Sequence, residues 1–315
     1  MNALIKPDPS WKIPDKLNLL LSLAVAALAL FWLWLGNQYV DHPVVLLLLG
    51  VGYSYLMLTN YSLMHEAAHD KLHSNGNINY LLGMFISFFF PMSITLLRNT
   101  HTKHHTQNRS EKELFDAYTE DDSRTKKFIQ WYAILLGFFW FYPVMGSVVL
   151  ALFSPEKVQK WFLDDKPGRA YAANFSAKEI RNMRVELGVF VLFLGLILYL
   201  LDIQPLVLLI YYACFAINWS TRQFIEHAYT KLHLTEGALN LKHFPWMSAL
   251  LLHRELDLNH HRFPDVPWNY LPKLLAPNEA QIHYLKQYVR LWRGPLPLSV
   301  LKKRLSNSQQ LPEQQ

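Results

Sequence analysis

The sequence predicts an all-α, polytopic membrane protein with four transmembrane helices, two re-entrant or interfacial helices and a cytoplasmic helical cap. Three observations support this prediction. Of the 315 residues, 51% are hydrophobic and 14% are aromatic. The apolar residues fall in uncharged blocks, and a membrane span needs about 20 apolar residues of helix. Long polar segments lie at residues 66–79, 99–127 and 154–186 and after residue 220, and the clustered histidines lie in or beside them.

Four apolar blocks without a charged residue are the predicted spans. They cover residues 18–35, 43–64, 187–201 and 205–219. The first two blocks are separated by residues 36–42 alone, and the last two by residues 202–204. Because both connections are so short, each pair of blocks is expected to form a tight hairpin across the membrane.

Two further apolar segments are predicted to enter and leave the membrane by the same face. Residues 78–97 contain Pro91 and residues 128–153 contain Pro143, and both segments connect polar regions on one side of the hairpins. Interrupted helices of this kind are tolerated where protein covers the backbone.

Residues 154–186 carry seven Lys or Arg and five Asp or Glu, and this excess predicts that the polar side faces the cytoplasm. The net charge of +6 therefore requires no nucleic-acid partner.

We expect one domain over residues 1–315, with its core at residues 17–275. Residues 276–305 form a C-terminal segment in which "IHYLKQYVRLWRG" places apolar and basic residues at helical spacing. This pattern favours an amphipathic helix on an anionic lipid surface. Residues 306–315 are polar and are predicted to be disordered. The single Cys214 excludes an intramolecular disulfide.

Eight of the fourteen histidines fall in short clusters beside apolar blocks. "HEAAHD" and "HTKHH" use spacings of three and four residues, which place side chains on one helix face. The clustered residues are His65, His69, His101, His104, His105, His227, His260 and His261. Clusters at helical ligand spacing on the same predicted face indicate metal binding. A catalytic zinc ion uses about three protein ligands, so eight histidines favour two metal ions.

Asp257 extends this pattern, because Asp257, His260 and His261 repeat the spacing of the three histidines in "HTKHH". A carboxylate can bind the same hard or borderline metals as imidazole. The spacing therefore predicts that Asp257 takes the position of the missing first histidine.

Two other functions share part of this pattern. "HEAAH" matches the H-E-x-x-H motif of zinc proteases, but a protease would leave six clustered histidines without a role. A metal transporter places its ionisable ligands within the spans, whereas here the clusters stand at the ends of the spans. Imidazole suits iron, copper and zinc alike, so ligand type alone does not select the metal.

The motifs "HEAAH", "HTKHH" and "NHHRFPDVPWNYLPKL" resemble the three histidine boxes of the membrane fatty acid desaturase superfamily. The resemblance covers about residues 46–275. It implies a cytoplasm-facing diiron centre in an integral membrane protein, which in a bacterium is located in the inner membrane. It also implies that the iron ligands are His65, His69, His101, His104, His105, His227, His260 and His261, with Asp257 at the position that the family fills with histidine.

The same resemblance implies the reaction partners. O2 is the co-substrate, and the substrate is a fatty acyl lipid, an acyl-CoA or an acyl-carrier-protein thioester. Electrons come from a separate ferredoxin, rubredoxin or cytochrome, because no haem-binding segment is visible in the chain. Desaturation is the first expectation. Alkyl or carotenoid hydroxylation, ketolation and decarboxylation to a terminal alkene remain open, because relatives with these boxes carry out all of them.

Three residues near the boxes leave alternatives open. Asp257 departs from the usual H-x-x-H-H box, and it is an iron ligand, a hydrogen-bond acceptor for a ligand imidazole or a helix cap. Gln223 is expected to hold a metal-bound water, as a nearby asparagine does in some relatives. His73 is expected to support the first box from one helical turn further along.

Overall fold

The computed structural model describes residues 5–161, 166–277, 279 and 281–310. This part of the chain is mostly helical. Its α-helices are α1 (Asp15–Gln38), α2 (Pro43–Ala68), α3 (Gly76–Ser87), α4 (Ile94–Gln107), α5 (Arg124–Leu135), α6 (Phe141–Leu152), α7 (Pro155–Trp161), α8 (Lys166–Tyr171), α9 (Ala177–Leu201), α10 (Pro205–Ser220), α11 (Pro245–Leu250), α12 (Asp257–Arg262), α13 (Tyr284–Leu291) and α14 (Leu298–Gln310). Short 3₁₀ helices cover Phe138–Trp140 and Trp268–Leu274.

The strands are two residues long and join distant loops. β1 (Ala117–Tyr118) pairs in parallel with β4 (Leu296–Pro297), and β2 (Leu241–Lys242) pairs in parallel with β3 (Ile282–His283). Each pair joins the C-terminal region to an earlier loop. In the described part of the chain the strands therefore link loops and form no sheet larger than two strands.

Three of the described helices, α1, α2 and α9, are long and apolar enough to cross a membrane. They contain the predicted spans 18–35, 43–64 and 187–201. The fourth predicted span, 205–219, lies in α10, whose 16 residues extend about 24 Å at 1.5 Å per residue. This length is shorter than the hydrocarbon core of about 30 Å. Length and composition together thus identify three membrane helices.

The two segments predicted to be re-entrant are both broken helices. Residues 78–97 are divided between α3 and α4, and residues 128–153 are divided between α5 and α6. The axes of α5 and α6 meet at an angle of 89°. The chain turns at Gly137, whose φ of 98° is a left-handed conformation that favours glycine. Pro143 lies in the first turn of α6, where a missing amide proton costs no helical hydrogen bond.

The membrane core is centred on α2, which packs against α1 and α10. Gly36 marks one close approach, because a Cβ there would lie 2.5 Å from Val207 Cγ1. Tyr211 adds a polar anchor by donating a hydrogen bond to the Trp32 carbonyl oxygen at 3.0 Å. α1 and α10 are therefore packed closely together beside the beginning of α2, at the end of that helix opposite to the first histidine box.

Glu186 of α9 fixes the beginning of α4. Its carboxylate accepts hydrogen bonds from the hydroxyls of Tyr80, at 2.8 Å, and Thr95, at 2.5 Å, and from the hydroxyl of Ser93. Ser93 is also the N-cap of α4 and accepts from the Leu96 amide at 3.1 Å. These contacts set the position of the helix that carries "HTKHH".

The C-terminal segment contains α13 and α14. α13 buries Tyr284 and Leu291, and Leu285 and Val289 are exposed. α14 ends at Gln310, within the tail predicted to be disordered from residue 306, and that disorder stays a prediction. The remainder of that predicted tail, residues 311–315, lies outside the described residues.

Candidate metal centre

The histidine boxes meet at the polar end of α2 because four parts of the chain converge there. His65 lies in the last turn of α2, and His69 caps that helix. α4 supplies three histidines, the short helix α12 supplies Asp257 and two histidines, and the turn after α10 supplies His227. Residues that are up to about 200 positions apart in the sequence therefore face one another.

Four histidines form a first group, made up of His65, His69, His101 and His260. Each offers one ring nitrogen, and these nitrogens lie within 4.8 Å of one another. The rings are close as well, since the His65 and His101 centroids are 4.4 Å apart. We call these four residues the imidazole group.

Three histidines, His104, His227 and His261, form a second group with the same 4.8 Å limit between ligand atoms. His104 Nε2 lies 3.2 Å from His261 Nε2. The Asp257 carboxylate joins them, because its Oδ2 lies 3.1 Å from His227 Nε2 and 3.4 Å from His261 Nε2. We call these four residues the mixed group.

His105 lies between the two groups. Its Nε2 is 3.1 Å from His101 Nε2 and 3.0 Å from His260 Nε2, both in the imidazole group. Its ring centroid is 4.5 Å from that of His261 in the mixed group. The two groups are therefore contiguous and make one centre.

Burial determines the charge of these side chains. It lowers the pKa of His105 to about 4 and that of His261 to about 2, so both imidazoles are neutral near pH 7. A neutral imidazole has the free lone pair that a metal ligand needs. Burial by itself would raise the pKa of Asp257, but the imidazoles of His261 and His227 outweigh it and lower that pKa. Asp257 is therefore an ionised carboxylate inside the centre.

Two histidines of the mixed group, His104 and His227, are oriented by a contact to the ring nitrogen that faces away from the centre. Glu113 Oε2 lies 2.5 Å from His104 Nδ1, and the Gly237 carbonyl oxygen lies 3.0 Å from His227 Nδ1. In both rings the contact leaves Nε2 directed at the centre. These two partners were not predictable from the sequence, because both reach their histidines only through folded loops.

Gln223 and His73 are both expected to support the centre, but their hydrogen bonds are made with residues outside the two histidine groups. Gln223 Nε2 donates to the Trp219 carbonyl oxygen at 2.9 Å, and its Oε1 accepts from the Tyr61 hydroxyl at 3.4 Å. α2 ends at Ala68, so His73 does not continue the helical face of the first box, and its Nδ1 accepts from the Asn75 amide at 2.9 Å. The roles expected for these two residues stay predictions.

A cavity of about 350 Å³ opens beside the centre. His101, His104, His227 and Asp257 contribute to one part of its wall. Most of the remaining wall is apolar or aromatic and includes Leu97, Ile134, Phe138, Phe139, Tyr142 and Trp219. Its volume is in the range of small-molecule sites, about 300–1,000 Å³. An apolar molecule in this cavity would lie directly against both histidine groups.

The donor atoms suit a pair of metal ions. Imidazole with one carboxylate is a donor set that fits iron. Among the described residues none makes a hydrogen bond with His69 Nε2, although that atom is buried. An unpaired buried polar group costs about 1–3 kcal/mol, and a bound metal ion would remove that cost. The number of donors and this unpaired nitrogen both agree with metal ligation.

Comparison with known proteins gives a family. The family model described as fatty acid desaturase matches residues 41–293, which is more than half of the chain and includes every histidine of both groups. No curated protein matches the chain closely enough to count as a relative. The match agrees with the histidine boxes and with the apolar cavity beside them, and the chain belongs to the fatty acid desaturase family.

Proposed function

We propose that the protein is a membrane-bound, O2-dependent diiron oxidoreductase that desaturates a fatty acyl chain. One observation carries the proposal: two contiguous groups of buried metal-ligand side chains form part of the wall of an apolar cavity. A metal centre beside an apolar cavity suits the oxidation of an alkyl chain better than peptide hydrolysis, which requires polar contacts to the substrate backbone.

The ligands follow from the two groups. The first iron is held by His65, His69, His101 and His260, the second by His104, His227, His261 and Asp257, and His105 lies within reach of both. A nonhaem iron pair supplies the oxidising power that removal of hydrogen from an unactivated alkyl chain requires. Gln223 also lines the cavity, and the role proposed for its amide is to hold a metal-bound water.

The other side chains bind and orient the substrate. Aromatic rings on the cavity wall, such as Phe139 and Trp219 with centroids 5.7 Å apart, hold the alkyl chain and exclude water from the ligands. His105 and His261, whose imidazoles are neutral near pH 7, can bind metal without releasing protons. In desaturation O2 takes up the two hydrogens of the chain, together with two electrons from the donor and two protons, and is reduced to water.

The membrane arrangement completes the proposal. α10 is the fourth span beside α1, α2 and α9, and the bent pair of α5 and α6 is re-entrant. The cap then faces the cytoplasm, where a ferredoxin, rubredoxin or cytochrome delivers electrons. The substrate is an acyl-CoA, an acyl-carrier-protein thioester or a glycerolipid. α13 supports this arrangement, because the exposed Leu285 and Val289 lie beside basic residues that suit an anionic membrane surface.

Two measurements test the proposal. Protein purified with its metals retained is expected to contain about two irons per chain and to consume O2 when a reductant is supplied. A preparation that contains zinc alone and is active without O2 would contradict it.

Mass spectrometry of lipids from cells with the gene and without it identifies the reaction, and cells that express His261→Ala are the control. Loss of two hydrogens from an acyl chain is expected. Gain of oxygen or loss of the carboxyl group would instead assign the protein to the hydroxylating or decarboxylating members of the superfamily.

A further inference from the structure

We infer that Glu113 is a positioning residue for the second iron: it orients His104 and adds a second negative charge to the mixed group. The inference rests on the proposed diiron function. Glu113 belongs to none of the histidine boxes, and it approaches the centre from the turn that follows α4.

The contact determines which nitrogen of His104 faces the centre. Glu113 Oε2 and His104 Nδ1 are 2.5 Å apart, and both side chains are about four-fifths buried, with 21% exposed. A neutral imidazole has one ring proton. When Nδ1 donates this proton to a carboxylate, the lone pair remains on Nε2, and the carboxylate also makes the ring a stronger donor to a metal. His104 Nε2 is the nitrogen that lies 3.2 Å from His261 Nε2.

The turn that carries Glu113 is rigidly held. The Glu113 amide donates to the Ser110 carbonyl oxygen at 2.9 Å. Arg109 and Asp116, at the two sides of the turn, form a buried two-contact ion pair with distances of 2.6 and 3.0 Å. Because both ends of the turn are fixed, Glu113 has little freedom to move away from His104.

The same turn also supports His227. Asn108 donates to the Gly237 carbonyl oxygen at 3.2 Å, and this oxygen accepts from His227 Nδ1. Arg109 Nη2 donates to the Thr230 carbonyl oxygen at 3.3 Å. One loop assembly thus orients two of the three histidines in the mixed group.

The imidazole group has no matching carboxylate. Its nearest acid is Glu66, whose Oε1 is 3.7 Å from His65 Nδ1, too far for a hydrogen bond. Among the described residues no other carboxylate lies within hydrogen-bond distance of a ring nitrogen of that group. If Glu113 and His104 formed a simple ion pair with no role at the metal, replacing Glu113 would not weaken the binding of one iron more than the other. The relative affinities of the two irons therefore test the inference.

The experiment uses full-length protein in detergent, with ⁵⁷Fe as the probe. Glu113→Gln is expected to lower the affinity of one iron by about 10-fold and Glu113→Ala by about 100-fold, the range for loss of a partner behind a ligand. The other iron should be retained. In the Mössbauer spectrum, the signal that changes should be the one that Asp257→His also changes. Glu120→Gln, an exposed acid further along the same segment, is the matched control.

The His104→Ala background shows whether Glu113 acts through His104. Glu113→Gln should have no further effect on iron affinity there, because the coupled ligand is already lost. An equal loss of both irons, an unchanged spectrum, or the same decrement in the His104→Ala background would each overturn the inference. Size-exclusion elution at the wild-type volume shows that a variant is folded. A wild-type protein without two irons would overturn the proposed function together with this inference, whereas an unaffected Glu113→Gln variant overturns the inference alone.

Discussion

The imidazole group and the mixed group contain similar numbers of histidines but differ in charge. All four donors of the imidazole group are neutral rings, whereas the mixed group has the Asp257 carboxylate among its donors and Glu113 behind His104. Anionic ligands favour higher metal charge. We therefore expect the second iron to be bound more tightly and to be oxidised more readily than the first, although the two are adjacent.

The two groups also differ in what holds them. His65, His69 and His101 of the imidazole group are placed by α2 and α4, which pack closely and bury the end of α2. The mixed group depends on hydrogen bonds from loops, at Glu113 and Gly237. Helix packing thus positions most of the imidazole group, and loop contacts support the mixed group, so different substitutions should disturb each group.

The largest effects should come from removing one ligand from each group. His101→Ala should lose the first iron and His261→Ala the second, and both should abolish turnover, because each substitution removes a donor atom from its group. Both proteins should still insert, because the spans are unchanged. Iron content per chain and acyl-product analysis check this. His42→Ala, in the exposed connection before α2, is the control, and near-normal turnover in either ligand variant would contradict the assignment.

Asp257 tests the charge difference directly. Asp257→Ala should lose the second iron and turnover together, because the ion loses its only anionic donor. Asp257→His, which restores three histidines at the box spacing, should keep the iron but change the rate or the ratio of alkene to hydroxylated product. Iron analysis and product ratios measure both effects. Full iron occupancy with unchanged turnover in Asp257→Ala would exclude ligation.

Gly237 tests the loop support. A Cβ at this position would lie 2.3 Å from the His233 carbonyl oxygen and 2.4 Å from Arg109 Cγ, so the loop must shift, and the Gly237 carbonyl oxygen bonded to His227 shifts with it. Gly237→Ala should cost about 1–3 kcal/mol of stability, as overpacking does, and should weaken binding of the second iron alone. Thermal unfolding and iron titration measure the two effects. Gly188→Ala, where a Cβ meets nothing within 4 Å, should show neither effect.

The smallest effect should come from Ser93→Ala, and its effect on iron affinity should be the same for the imidazole group and the mixed group. Ser93→Ala removes the cap of α4 and should cost about 1 kcal/mol. Because α4 carries members of both groups, iron affinity should fall slightly and equally for both ions. Ser123→Ala removes the cap of α5 and should cost similar stability without a change in iron affinity. A change confined to one ion in Ser93→Ala would show that α4 does not support both groups.

The sequence predicted the local part of the centre. The spacing of His101, His104 and His105 predicts one helix, and they share α4. Asp257, His260 and His261 share α12, because both patterns depend only on helical periodicity, and ligation by Asp257 stays a prediction. The division into groups was not predictable. His101 and His104 are three residues apart, yet they belong to different groups because the partners supplied by other helices decide membership.

The remaining differences between the sequence predictions and the structure lie in loops and at helix ends. Glu113 and Gly237 reach their histidines through turns whose shape depends on buried contacts such as the Arg109–Asp116 pair. The helical face of the first box stops before His73, because Asp70 takes a left-handed conformation with φ of 59°. The sequence did predict an interrupted helix over residues 128–153. It did not show that the interruption falls at Gly137 rather than at Pro143.

The right-angle turn at Gly137 affects the shape of the cavity beside the two histidine groups. Ile134, before the turn, and Phe139, after it, stand on the wall of the same cavity, whereas Gly137 itself does not touch it. Its missing side chain allows the Ile217 backbone to approach, since a Cβ would lie 3.0 Å from Ile217 Cα. The separation of Ile134 and Phe139, and with it the width of the cavity, therefore depends on the backbone turn at Gly137 as well as on the side chains of the wall.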